Sequence, residues 1–200
     1  GMTPLCTPWD LKSVDTLERF GVSGYKVASA DLTNHELIEK ISRTKKAILL
    51  STGMSTEAEI LETIRVLEAQ SSHYILMHCN GTYPPPLHDV NLHYIRRLQT
   101  ISGRPVGYSG HERGINVAIA AVALGAVVIE KHITLNKNME GPDHKSSIEP
   151  LEFKKMVRDI RLTEKFLGKK EKIITNSAAK NLIASSKAIY AKKDISKGEK

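Results

Sequence analysis

The segment VVIEKH, residues 127–132, places three ionisable side chains directly after a short apolar run. The run VVI has the composition of a buried strand, inside which a charged group is costly to desolvate. Glu130, Lys131 and His132 therefore stand where the predicted strand ends, within reach of a ligand. A histidine beside charged neighbours can transfer protons near neutral pH or bind a metal ion. The segment predicts a functional site at this strand end.

Almost every other predicted strand also ends in polar side chains. His111 and His132 follow neighbouring strands, and neutral imidazoles with open positions beside them suit a divalent metal ion that acts as a Lewis acid. His144 and His78 compete for that role, although His78 lies inside the apolar run ILMHC and is expected to be a hydrogen-bonded core histidine. Spacing alone does not decide among these histidines. The polar groups at the strand ends are Thr7, residues 26–31, Ser51 and Thr52, residues 78–83, residues 109–111, and residues 131–132.

The elements that position these groups are predicted from alternating short apolar and amphipathic runs. Thr33 with Glu36 and Thr56 with Glu59 fit capping boxes at two helix starts. The predicted strands are residues 3–7, 24–28, 46–51, 74–79, 105–109 and 126–131. The predicted helices are residues 11–20, 34–43, 56–70, 91–101, 114–124 and 150–167.

Strands separated by helices indicate an α/β fold with parallel pairing and right-handed crossovers. A doubly wound sheet concentrates its site at one switch point, whereas a barrel gathers all its strand ends around one mouth. Functional side chains follow nearly all the strands, and no GxGxxG or Walker sequence follows any of them. These observations favour a (β/α)8 TIM-type barrel, although only six of its eight units can be counted.

The composition, 40% apolar and 26% charged, is that of a soluble globular protein. Residues 151–200 hold 14 Lys and Arg against 6 Asp and Glu, which leaves 15 against 16 for residues 1–150. This basic excess belongs to one helix and a lysine-rich tail without interleaved aromatic residues, so we expect no nucleic-acid partner. No apolar run approaches about 20 residues, so we expect no membrane span. Cys6 and Cys79 predict free thiols in a reducing cytoplasm.

Six motifs occur in order along the chain: STGMS (51–55), HCNGTYPPP (78–86), VNL (90–92), GYSGHERG (107–114), IEKHITLNKNMEGPDH (129–144) and IEP (148–150). Together they resemble the sialic acid synthase family, which comprises bacterial N-acetylneuraminate synthases and their legionaminate and pseudaminate relatives. The resemblance extends from residue 1 to about residue 170. Residues 187–199, KAIYAKKDISKGE, resemble the opening of the family's C-terminal SAF (antifreeze-like) domain.

The resemblance implies the domain organisation of a segment from such an enzyme. Family members carry two further β/α units before the TPWD stretch and a longer SAF domain, which accounts for the count of six. We therefore expect a partial barrel over residues 1–168 with strands 3–8 of eight, a basic linker over 169–186, and the start of the SAF domain over 187–200. The resemblance also implies a homodimer in which the SAF domain is swapped onto the partner's barrel.

The reaction implied by the resemblance joins phosphoenolpyruvate to an N-acylated amino-hexose, either N-acetylmannosamine or a diacetamido-trideoxyhexose. It yields a nine-carbon 2-keto acid and phosphate, with a divalent metal as cofactor, Mn²⁺ foremost and Mg²⁺ or Co²⁺ as alternatives. By resemblance, the phosphoenolpyruvate-binding residues are Thr7, Lys26, Ser29, Ser51 and Ser109, the sugar-binding residues are Tyr83 and Asp143, the metal ligands are His111 and His132, and the catalytic carboxylates are Asp31 and Glu130.

The sequence departs from the family at two of these places. Asp31 replaces the usual glutamate, and Glu130 is either the alternative catalytic carboxylate or a partner of Lys131 or of a metal-bound histidine. Gly81 stands where the family has Asn or Ser, so either Asn80 supplies that contact or the contact is missing.

Two other functions remain open on the sequence alone. One is a different metal-dependent aldol-type lyase on the same barrel, because one fold hosts many chemistries. The other is a non-catalytic sugar-binding fragment, because the family's N-terminal acid and lysine and its SAF arginine lie outside these 200 residues. For that reason, we expect the segment alone to be inactive.

Overall fold

The computed structural model describes residues 1–199, which form two compact units divided between Leu167 and Gly168. The strands are β1 (Gly24–Val27), β2 (Ala47–Ser51), β3 (Tyr74–Cys79), β4 (Val106–Gly110) and β5 (Ala126–Lys131). The helices are α1 (Leu11–Phe20), α2 (His35–Arg43), α3 (Glu57–Ala69), α4 (Tyr94–Ser102), α5 (Asn116–Ala123), α6 (Pro150–Leu167) and α7 (Asn176–Ser185). The six predicted helices and five of the six predicted strands are present, with ends that differ by at most three residues.

The five strands form one sheet in the order β1-β2-β3-β4-β5, and every neighbouring pair is parallel. A doubly wound sheet reverses its strand order at a switch point, and this sheet does not. Consecutive parallel strands joined by crossovers of one hand place all their helices on one face, as in a barrel wall. The parallel α/β prediction is confirmed.

A contact between the two outermost strands reveals how strongly the sheet curves. Lys26 lies on β1 and Glu130 on β5, yet the lysine Nζ is 3.6 Å from the carboxylate Oε2. Neighbouring strands are about 4.8 Å apart, so four spacings would separate β1 from β5 by about 19 Å in a flat sheet. The sheet must therefore curl around the face that carries both side chains.

The two faces of the sheet differ because successive strand residues point in opposite directions. Tyr25, Ile48, Leu76 and Val106 are buried on the outer face and share one core with residues of α2, α3 and α4. The inner face carries Lys26, Ser51, Ser109 and Glu130 near the carboxyl ends of the strands. Of its apolar members, Leu49, Ile75 and Val128 are only half-buried, whereas Met77 is buried.

The predicted strand over residues 3–7 is wrong. A single parallel bridge joins Cys6 to Tyr25, with the Lys26 N–H donating to the Cys6 carbonyl at 3.0 Å. Pro4 has no N–H to donate to a ladder, and residues 1–6 are exposed. Pairing therefore stops after one bridge.

Of the two predicted capping boxes, one forms. Thr56 and Glu59 cap α3 reciprocally, as predicted. At α2 the cap is Asn34, whose side chain accepts from the Leu37 N–H at 3.4 Å, so the Thr33 prediction is wrong. Asparagine is at least as good an N-cap as threonine, and here it stands one residue closer to the helix.

The second unit begins at Gly168 and contains α7, within the stretch that was predicted as a basic linker. The Thr175 side chain caps this helix by accepting from the Ala178 N–H. Residues 187–199 form neither helix nor strand, and Lys200 lies outside the described residues. Over residues 1–199, no helix is long and apolar enough to span a membrane.

Candidate active site

An open cleft of about 410 Å³ lies at the carboxyl ends of the strands, on the inner face of the sheet. It contains all but one of the predicted site residues, although they come from widely separated parts of the chain. This convergence is what a barrel mouth produces. The predicted residues that line the cleft are Thr7, Lys26, Ser29, Ser51, Tyr83, Ser109, His111, Glu130, His132 and Asp143.

Asp31 is the predicted residue that does not line the cleft. It lies in a 3₁₀ turn after β1, where its Oδ1 accepts from the side-chain amide of Asn34 at 3.2 Å. Its Oδ2 is buried and has no hydrogen-bond partner within the described part of the chain. The structure therefore brings Glu130, and not Asp31, together with the other candidate groups.

The anion-binding part of the cleft combines one cation with serine hydroxyls. Lys26 donates to the Val27 carbonyl at 2.9 Å and faces Glu130, and its side chain is only 15% exposed. Ser29 Oγ accepts from the Gly53 N–H at 3.0 Å. The Ser51 hydroxyl is buried without a partner among residues 1–199, and Ser109 is 2% exposed. A largely buried ammonium group with an unpaired serine hydroxyl nearby suits a phosphate or a carboxylate.

His111 and His132 lie together, with ring centroids 5.3 Å apart and an edge-to-face geometry. His111 Nδ1 donates to the Asn80 carbonyl at 2.6 Å, which leaves the lone pair on Nε2. Burial lowers the pKa of His111 and so favours the neutral form of its ring. The Tyr83 ring stacks on this ring with 3.8 Å between the two centroids. His132 Nδ1 lies 3.9 Å from Asp143 Oδ2.

This donor set fits a divalent metal ion. Neutral imidazoles are ligands for Mn²⁺ and its neighbours, and the Asn80 bond orients His111 from behind. Among the described residues, no group of three or more His, Cys, Asp or Glu side chains could hold a metal ion. His111 and His132 are the side chains of the cleft that would hold an ion, with its remaining positions open to other molecules.

Of the competing histidines, neither lines the cleft. His78 is buried on the outer face, where its Nε2 donates to the Val90 carbonyl at 2.7 Å, so the prediction of a core histidine is confirmed. His144 shares a hydrogen bond with Thr134 Oγ1 at 2.8 Å.

Lys131 forms its ion pair with Glu112 and not with Glu130. Glu130 and Lys131 are consecutive on β5 and point to opposite faces, so Glu130 pairs with Lys26 instead. Lys131 Nζ lies 2.8 Å from Glu112 Oε1, and both side chains are fully buried. Burial lowers the pKa of Lys131, and the Glu112 carboxylate opposes that shift.

The profile of the NeuB family matches residues 1–172. The chain belongs to the NeuB family.

Relatives of this NeuB-family chain include two that match nearly all of it. The chain is 50% identical over 200 residues to the protein MJ1065 of Methanocaldococcus jannaschii, and 46% identical over 198 residues to the N,N'-diacetyllegionaminic acid synthase of Campylobacter jejuni. These matches cover 100% and 98% of the chain, which spans 59% of the length of each relative.

A solved structure also matches the NeuB-family chain. The N-acetylneuraminic acid synthetase of Leptospira borgpetersenii, crystallised with citrate, superposes with a TM-score of 0.84 at 33% identity. The match covers 89% of this chain and 62% of that one.

Several cleft residues of this NeuB-family chain were not predicted from sequence. Trp9 and Met54 line the cleft, and so does Cys79, a strand-end residue to which the sequence assigned no role. A Cβ on Gly81 would lie 2.7 Å from Met54 Cγ, so glycine leaves room for that side chain. The Asn80 amide is occupied by Asp89 and Thr82, so Asn80 does not replace the missing family side chain. Apolar side chains such as Met54 carry no polarity signal, which is why the sequence did not reveal them.

Proposed function

We propose that the protein containing this chain condenses phosphoenolpyruvate with an N-acylated amino-hexose, giving a nine-carbon 2-keto acid and inorganic phosphate. The observation that carries the proposal is the convergence of Lys26, Ser51 and Ser109 with His111 and His132 in one cleft. The 46% identity to a diacetyllegionaminic acid synthase supports a diacetamido-trideoxyhexose as the acceptor. N-acetylmannosamine is the alternative acceptor.

The bond changes set the demands on the cleft. C3 of phosphoenolpyruvate bonds to the aldehyde carbon of the open-chain sugar, whose oxygen takes a proton and becomes a hydroxyl. Water adds at C2 and gives up one proton. When the bond between C2 and the phosphate oxygen breaks, the new C2 hydroxyl loses its remaining proton to the departing phosphate and becomes a ketone. The protein must therefore hold two anionic groups, polarise an aldehyde and accept a proton.

The anionic groups are assigned to the serine side of the cleft. Lys26 supplies a positive charge, which the Val27 carbonyl and Glu130 hold in place. Ser51 and Ser109 supply directional hydrogen-bond donors. Thr7 and Ser29 extend the same wall. Since Ser51 has no partner among residues 1–199, its hydroxyl can turn to the ligand without breaking a bond.

The aldehyde is assigned to the histidine side. His111 Nε2 and His132 would hold a divalent cation, foremost Mn²⁺, which supplies Lewis-acid polarisation of the sugar aldehyde when it is bound. Burial raises the pKa of Tyr83 to about 12, so its hydroxyl stays protonated and can donate to the sugar. Asp143, beside His132, accepts from the sugar hydroxyls.

Glu130 is assigned the proton from the attacking water. The Glu130 side chain is 36% exposed and lies beside Lys26. It can therefore reach both solvent and the serine side of the cleft. Asp31 lies outside this cleft, and we assign it no proton transfer.

We further propose that the protein is a cytoplasmic homodimer in which a SAF domain from one subunit covers the barrel of the other. The chain's 59% span of its relatives leaves room for such a domain in the complete protein. Mass measurement in solution tests the dimer.

The decisive experiment measures phosphate release and sugar-acid formation by the complete protein, with phosphoenolpyruvate, Mn²⁺ and each acceptor in turn. Equal amounts of phosphate and 2-keto acid support the proposal, and His111→Ala is the inactive control. A reaction with pyruvate that releases no phosphate would indicate an aldol-type lyase. Binding of phosphoenolpyruvate without turnover would indicate a binding protein.

A further inference from the structure

Behind the two histidines lies a fully buried group of polar side chains that the proposed reaction does not use. Glu112 accepts from the Tyr108 hydroxyl at 2.6 Å through Oε2 and from Lys131 Nζ at 2.8 Å through Oε1. Lys131 also donates to the main-chain carbonyl of Glu112. We name Tyr108, Glu112 and Lys131 the Glu112 cluster.

The position of the Glu112 cluster in the chain is informative. Glu112 directly follows His111, and Lys131 directly precedes His132. Each histidine faces the cleft, while its neighbour points to the opposite side. The Glu112–Lys131 ion pair therefore joins the two chain segments that carry the histidines, through the residues next to them.

The turn after β4 is shaped around this pair. Gly110 is the last residue of β4 and is the register partner of Lys131. A Cβ at this position would lie 2.7 Å from Glu112 Oε2 and 2.8 Å from Oε1. The carboxylate thus folds back over Gly110 onto the outer face of the strand. Gly110 is held by its pairing with β5 and Glu112 by its ion pair with Lys131, so both neighbours of His111 are fixed.

Stability alone is a weak reason for such a pair. Moving two charges out of water costs about as much as their attraction returns, and apolar residues of similar volume often stabilise a core equally well. An ion pair adds a defined orientation, because Lys131 donates hydrogen bonds to both the side chain and the main chain of Glu112. Groups that hydrogen-bond to metal ligands typically change metal affinity by about 10- to 100-fold when they are removed. Over residues 1–199 the Glu112 cluster makes no hydrogen bond to either imidazole, so its effect on the histidines would pass through the main chain.

We propose that the Glu112 cluster is a positioning device that fixes the spacing and orientation of His111 and His132. This inference rests on the metal site assigned under the proposed function. It adds Tyr108, Glu112 and Lys131 as positioning residues that touch no substrate.

The test uses three variants in the complete protein: Glu112→Gln, Lys131→Met and the double variant Glu112→Leu with Lys131→Met. Mn²⁺ affinity is measured by calorimetry, and thermal unfolding is measured with a chelator present. Hydrogen exchange is followed in the metal-free protein over residues 110–113 and 131–134. Lys137→Met is the matched control, because it removes a half-exposed Lys–Glu pair with Glu152 on the segment after β5.

All three variants are expected to bind Mn²⁺ at least tenfold more weakly than the unmodified protein does. Faster exchange is also expected in both segments together, with no change in the control. The double variant is expected to regain thermal stability, because no buried charge is left unpaired, while its Mn²⁺ affinity stays low. The double variant also protects the test against single variants that fail to fold.

Two results would overturn the proposal. One is unchanged affinity and exchange in folded single variants. The other is recovery of Mn²⁺ affinity together with stability in the double variant, which would make the pair a purely structural contact. If the unmodified protein binds no Mn²⁺, the proposed metal site fails, and hydrogen exchange alone then decides for or against the positioning role.

Discussion

Ser51→Ala is expected to change stability and ligand affinity in opposite directions. The Ser51 hydroxyl is buried at the end of β2 and has no partner among residues 1–199. An unsatisfied buried polar group costs about 1–3 kcal/mol, so removing it should raise the free energy of unfolding by about 1 kcal/mol, the lower end of that range. In the proposed complex the same hydroxyl donates to an anionic group, a bond worth about 1.5–3 kcal/mol. Its loss should weaken phosphoenolpyruvate binding by about 10- to 150-fold.

The assay pairs calorimetric titration of phosphoenolpyruvate with chemical denaturation of the ligand-free protein. Ser29→Ala is the matched control, because its Oγ already accepts from the Gly53 N–H at 3.0 Å. That variant should lose about 1 kcal/mol of stability, the opposite sign to Ser51→Ala. The reasoning is refuted if Ser51→Ala lowers stability as Ser29→Ala does, or if it leaves phosphoenolpyruvate affinity unchanged.

Further outcomes follow from other parts of the structure. Ser109→Ala should raise the KM for phosphoenolpyruvate with little change in kcat, and initial-rate kinetics showing the reverse would misplace the anion. His111→Ala should abolish Mn²⁺ binding in calorimetry while the circular dichroism of the fold is retained, and undiminished affinity would remove this ligand assignment. Burial lowers the pKa of His78, so its contribution to stability is complete above the unfolded pKa of about 6.5 and declines as pH falls below it. Denaturation between pH 7 and 5 should therefore show a smaller loss in His78→Gln than in the unmodified protein. Residues 1–200 expressed alone should melt broadly, because the inner face leaves Leu49 and Ile75 half-buried. They should also release no phosphate, and a sharp transition together with turnover would contradict both expectations.

Much of the site could be predicted from sequence because its residues follow apolar runs at strand ends. Ser51, Ser109 and His132 are each marked by such a position. The parallel order was also predictable, since helices intervene between all the strands. Asp31 lies outside the cleft, and sequence position could not reveal this because it does not show which way a short turn after β1 directs its side chain.

The partner of Lys131 could not be found in this way. Strand alternation does predict that Glu130 and Lys131 point to opposite faces, which already argues against pairing between them. Glu112, however, reaches Lys131 only because the chain folds back over Gly110 after β4. The register of β4 with β5 also shifts between Val106 and Tyr108, and no residue pattern marks that shift.

The matching of strand order to chain order has a consequence for how the protein is made. Each strand pairs with one that precedes it by about 20 to 30 residues, so every ladder can form from a short, recently synthesised stretch. The contact between Lys26 and Glu130 is different, because it joins β1 to β5. During synthesis the sheet can therefore grow one unit at a time, while Lys26 meets Glu130 only when β5 has been made. Until then Lys26 lacks its carboxylate neighbour, and the growing sheet leaves its half-apolar inner face uncovered.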